Sequence, residues 1–175
     1  MTISWKDVEA AQPAHAAIVR ERFDAHKHHV LGTLRADGSP RLTVLEADFS
    51  RGELWLGMMP NSRKALDLRR DPRFTLHANP GDGSEMEGGG GDVRISGRAI
   101  EVTDEAELAR FAAAAPEGAV PDVFHLFRAD VTEVVRVYLS IPDICTDVWR
   151  PGGRLRTLRR GNGDEPPRED PPREG

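Results

Sequence analysis

From His29 onward the chain is cut into short apolar stretches by closely spaced turn signals, and this spacing restricts the fold more than any other feature. A strand is predicted at His29–Arg35, then a hairpin turn at Ala36-Asp37-Gly38-Ser39-Pro40 with Asp-Gly at its centre. Arg41–Phe49 returns, Ser50-Arg51-Gly52 turns again, and Glu53–Met58 is a third strand. Pro60-Asn61 breaks the chain before a helix at Ser62–Arg69, which Asp71-Pro72 stops so that Arg73–Ala78 resumes as strand. Further strands are expected at Asp92–Thr103, Ala129–Leu139 and Ile144–Trp149, with a helix from Thr103 or Asp104 to Ala114 and a short helix or turn at Pro121–Phe127. No strand–helix–strand rhythm appears, which disfavours a doubly wound parallel sheet. A mainly β (α+β) chain of six or seven strands, closed as a small antiparallel barrel with peripheral helices, fits the pattern.

Ahead of the strands, Ser4–Ala25 reads as one helix capped by Ser4, with Val8, Ala11, Ala16, Ile18, Val19 and Phe23 as a loose apolar stripe. With 175 residues, the chain is expected to form a single domain over 1–160. Two segments lack the apolar residues to order themselves: 79–91, expected as a mobile Gly-rich loop, and the Pro-rich, charged tail 161–175, expected to be disordered. The glycines of the loop precede no helix bearing Gly-Lys-Ser/Thr, so a nucleoside-triphosphate site is not indicated.

A formal charge of −5 argues against a nucleic-acid partner, so any anionic ligand has to be held by a local basic site. The single cysteine, Cys145, excludes an intrachain disulfide and a cysteine-based zinc site. No leader-like segment and no long apolar run are present, which gives an expectation of a cytoplasmic protein without a membrane partner. His26 and His28 point apart if helical and have no third ligand at fixed spacing, so no metal site is expected. No Ser-His-Asp order or Cys-His pair stands out either, and no catalytic residue is assigned.

The local basic site is Ser62-Arg63-Lys64. A helix N-terminus carries unpaired N–H groups and partial positive charge, so two cations there cost about 0.3–1 kcal/mol each unless something compensates. A phosphate removes that conflict, with the Ser62 hydroxyl and charge-assisted bonds from Arg63 and Lys64. A solvated first turn is the alternative. Arg41, directly after Pro40, either blunts an edge strand or meets a phosphate or a side-chain acid.

Five pieces in order carry a resemblance over residues 28 to 155: Leu31-Gly32-Thr33-Leu34 with Asp37-Gly38-Ser39-Pro40, Ser62-Arg63-Lys64 after a strand, Asp71-Pro72-Arg73, Gly97-Arg98-Ala99, and Trp149-Arg150-Pro151-Gly152. With these the chain resembles the pyridoxamine 5′-phosphate oxidase-like, or flavin/deazaflavin oxidoreductase, superfamily of split β-barrels, and its ending is closest to actinobacterial branches. The resemblance implies a homodimer with FMN, or alternatively a deazaflavin coenzyme, between subunits. It places Ser62, Arg63 and Lys64 on the cofactor phosphate. The strand residues Arg41, Leu42, Thr43, Val44 and Leu45 line the ring, with Met58 nearby and Trp149 and Arg150 closing the site. Gly57-Met58 stands where vitamin B6 oxidases carry Tyr-Thr, and their C-terminal Arg-x-His has no clear counterpart among Arg154, Arg156 and Arg159. Pyridoxamine phosphate is therefore not the expected substrate. The expectation is hydride transfer to or from a small organic molecule. The alternatives are a non-enzymatic flavin, deazaflavin or haem binder and a scaffold of the same fold.

Overall fold

The computed structural model describes residues 2–87, 90–116 and 120–171. Two helices lead: α1 (Trp5–Ala11), closed by a reciprocal Ser4–Asp7 capping box, and α2 (Pro13–Asp24). The helix expected to be continuous divides at Pro13, which cannot donate the next helical hydrogen bond and instead occupies the first position of α2.

Ten strands follow among the described residues. They are β1 (His29–Leu34), β2 (Pro40–Leu45), β3 (Ala47–Ser50), β4 (Glu53–Met58), β5 (Arg73–His77), β6 (Asp92–Glu101), β7 (His125–Ser140), β8 (Asp143–Trp149), β9 (Arg156–Arg160) and β10 (Arg168–Glu169). Helix α3 (Arg63–Arg70) comes between β4 and β5, and α4 (Glu105–Ala114), capped by the Asp104 carboxylate, between β6 and β7. All pairings are antiparallel, in the order β10-β9-β8-β7-β6-β5-β1-β2.

Strand β7 makes the barrel split. Residues 127–137 pair with β6, while its other edge is shared: residues 125–128 pair with β4 and residues 134–140 with β8. A bulge between Ser96 and Gly97 bends the long ribbon at the change of partner. Gly97 is needed there because a Cβ would stand 2.3 Å from the Asp130 carbonyl oxygen. The main core gathers Trp5, Val8, Val19 and Phe23 of the leading helices against Leu31, Leu54, Leu56, Leu76, Ile95, Phe127 and Trp149. A second cluster of Trp55, Phe111 and Leu126 seats α4 on the outside of β4 and β7.

Two further segments make local contacts. The 79–91 stretch contains a 3-10 turn at Ser84–Met86 and is fastened by Arg22 Nε to the Gly91 carbonyl and Arg136 Nε to the Gly90 carbonyl; Gly88 and Gly89 lie outside the described residues. In the tail from 161, Arg168–Glu169 form β10, with Glu169 bridging Arg154 and Arg156 and Asp170 holding Arg159 at 2.7 Å. Alternating charges, not apolar burial, order it; residues 172–175 lie outside the described residues.

Candidate functional site

Strand β4 ends at Met58, and the chain reverses through Asn61, whose positive φ of 54° suits asparagine. His125 holds this reversal: its Nε2 accepts from the Asn61 amide at 3.0 Å, and its Nδ1 lies 3.3 Å from Glu101 and 3.2 Å from Arg69 Nη2. Ser62 then stands at the N-cap of α3. Its side chain caps no backbone amide, and its Oγ is buried without a hydrogen-bond partner among the described residues. The Thr43 Oγ1 on β2 is buried and unpartnered in the same way. A buried hydroxyl without a partner is costly, and these are two of six buried polar side-chain atoms that lack one among the described residues.

Arg63 is exposed beside an open cleft of about 430 Å³ lined by Arg35, Asp37, Arg41, Leu66, Asp67 and Arg70. Lys64 turns the other way and donates to the Val44 carbonyl at 2.6 Å. Burial alone lowers the Lys64 pKa; no carboxylate contributes to it.

At the inner wall of the cleft lies Asp67, only 4% exposed. Its Oδ2 accepts from Arg41 Nε at 2.6 Å and from Thr33 Oγ1 at 3.0 Å, and its Oδ1 from Arg70 at 3.3 Å. Desolvation pushes the carboxyl pKa up, yet the bonds from Arg41, Thr33 and Arg70 outweigh it and hold the group below the usual carboxylate range. Of the two partners foreseen for Arg41, a phosphate or an acid, the structure shows the acid. Asp67, Arg35, Arg70 and Thr33 were not foreseen from sequence; an aspartate placed between Ala65 and Leu68, both buried on α3, was the available signal.

The other expected site residues separate. Leu45 is buried in the core, whereas Leu42 and Val44 on the end strand β2 are 72% and 58% exposed. Met58 and Trp149 are core residues, Trp149 at 2% exposure, and neither lines the cleft. Arg150 also lies away from it, paired with Glu133 at 2.6 Å. Trp149 and Arg150 are expected to close the site from one subunit or the other, and within one chain neither lines the cleft. Of the histidines, His28 pairs with Glu46 and His77 Nδ1 lies 2.6 Å from the Ala78 carbonyl.

The sequence profile of pyridoxamine 5′-phosphate oxidase matches residues 16–138, from α2 through most of β7. The chain belongs to the pyridoxamine 5′-phosphate oxidase-like family. Solved structures share the family's fold at low identity. An FMN-binding, pyridoxamine 5′-phosphate oxidase-related protein of Nostoc punctiforme is 16% identical, with a TM-score of 0.59 over 86% of this chain and 96% of its own. A haem-binding protein of Mycobacterium smegmatis is 17% identical, with a TM-score of 0.53 over 85% of this chain and 59% of its own. A Clostridium acetobutylicum protein of the pyridoxinephosphate oxidase family is 16% identical, with a TM-score of 0.50 over 83% and 95%. Comparison with curated protein sequences returns no match. No helix among the described residues is long and apolar enough to cross a membrane.

Proposed function

We propose that the chain binds FMN, or alternatively a deazaflavin coenzyme, and works as an oxidoreductase on a small organic substrate. The observation that carries this reading is the buried, unpartnered Ser62 hydroxyl at a helix start that also bears Arg63 and Lys64. A phosphate there accepts the hydroxyl, the free amides of the first turn and the Arg63 guanidinium. Arg41 approaches from the β2 side, and Thr43 offers the second unpartnered hydroxyl. When bound, the tricyclic ring supplies the redox chemistry by taking or giving hydride. The protein's share is to fix the phosphate, to present main-chain groups of β2 to the ring, and to exclude water.

The same reading places the cofactor between two copies of the chain. Leu42 and Val44 expose apolar side chains on an end strand, a surface that a second subunit covers. Titration of the stripped protein with FMN, the deazaflavin coenzyme and haem, followed by fluorescence or absorbance, tests the proposal. Saturable binding of one of the first two, and its reduction in the bound state, is expected. Binding of haem alone, or of none of them, contradicts it.

A further inference from the structure

We propose that Asp67 is a positioning residue that holds the Arg41 guanidinium in the orientation needed to bind an anionic phosphate in the cleft, an inference that rests on the phosphate reading above. Asp67 is a buried carboxylate on α3, and it takes its bonds from three elements: Thr33 on β1, Arg41 on β2 and Arg70 at the end of α3. The way it engages Arg41 matters most. It binds Nε at 2.6 Å, which leaves Nη1 and Nη2 as the remaining donors of a guanidinium that lines the cleft. A guanidinium fixed at Nε has lost most of its rotational freedom, so less ordering remains when its outer nitrogens meet an anion. Arg70, on the same cleft, is held differently: its Nη2 donates both to Asp67 and to the Leu34 carbonyl.

Two roles for Asp67 predict opposite signs. As a bystander charge it repels a phosphate, so Asp67→Asn tightens binding of phosphorylated ligands. As a positioning group it orders Arg41, so Asp67→Asn weakens such binding even though it removes a negative charge. Loss of one ordered charge-assisted contact corresponds to about ten- to hundredfold in affinity.

The test measures FMN and riboflavin binding by calorimetry to the full chain and to Asp67→Asn, with melting temperature as the check on folding. The expected result is about tenfold or greater loss of FMN affinity in the variant, with riboflavin affinity unchanged. Adding Asp67→Asn to Arg41→Ala should then cost nothing further, because the coupling passes through Arg41. Unchanged or tighter FMN binding by Asp67→Asn overturns the inference, as does equal loss for both ligands. If Asp67→Asn does not fold, Arg41→Lys keeps the charge but removes the braced fork. It should show the same FMN-selective loss, and wild-type affinity for FMN in Arg41→Lys overturns the inference instead. A wild-type protein that fails to prefer FMN over riboflavin refutes the phosphate reading itself, an outcome distinct from any variant effect.

Discussion

Lys64 Nζ donates to the Val44 carbonyl at 2.6 Å, tying the first turn of α3 to the end strand β2. The ammonium satisfies a strand carbonyl that no further strand pairs, and it keeps a partly buried positive charge beside the helix start without a carboxylate to neutralise it.

Arg63→Ala is expected to weaken FMN binding by about 1.5–3 kcal/mol, the value of a charge-assisted hydrogen bond, with little change in melting temperature, and Lys64→Ala to weaken it by less, since its ammonium is held by the Val44 carbonyl. Isothermal titration reads the difference directly. Affinity within about threefold of wild type for both would remove these residues from the phosphate site.

His15 gives the fold a pH dependence. It is 4% exposed, and desolvation lowers its pKa below the ordinary 6.5, against attraction from Asp147, with Arg136 also nearby. The unfolded chain therefore takes up a proton at higher pH than the folded one. Stability is full above about pH 6.5 and falls as the pH drops towards the folded value, by up to about 1.4 kcal/mol per pH unit. Denaturant melts at pH 7.5 and 5.5 are expected to show the loss, and His15→Gln to reduce it; a slope identical in the variant assigns the dependence elsewhere.

Trp149 is predicted to matter for stability and not for ligand. Trp149→Ala opens a cavity in the core and should cost about 3–5 kcal/mol. Trp149→Phe should leave FMN affinity within about twofold. A selective loss of ligand by a Trp149→Phe protein of normal stability would place the indole ring at the ligand.

Self-association is expected through β2. Light scattering at micromolar concentration should give a dimer mass, and Leu42→Asp with Val44→Asp should lower it to that of one chain, since charge on an exposed strand blocks pairing. A wild-type monomer sinks the inter-subunit site.

Much of the fold is legible in the turns. Asp37-Gly38 gives a hairpin with Gly38 at φ 83°, Asp71-Pro72 ends α3, and Gly97 marks the bulge. What escapes has long-range causes. Strand β9 has no apolar alternation and is ordered by β8 and by the tail's acids, so no strand is read from sequence at Arg156–Arg160. Arg41–Phe49 reads as one strand, but it breaks at Glu46 because β2 pairs with β1 and β3 with β4. At the candidate site, the strand–break–helix signature located Ser62, Arg63 and Lys64. Asp67 went unnoticed because its role depends on side chains from β1 and β2 that only the folded barrel brings to it. Trp149 and Arg150 are sequence neighbours, and adjacent residues of an extended chain face opposite ways. A Trp buried in the core therefore already turns its neighbour outward.

The central claim is that the α3 start and the cleft beside it bind the phosphate of a flavin. The most direct measurement is a pair of titrations of the wild-type, cofactor-stripped protein, one with FMN and one with riboflavin, which differ only in that phosphate. The account predicts that FMN binds at least about tenfold more tightly and that added salt narrows the gap. Equal affinities for the two, or no binding of either, would contradict it.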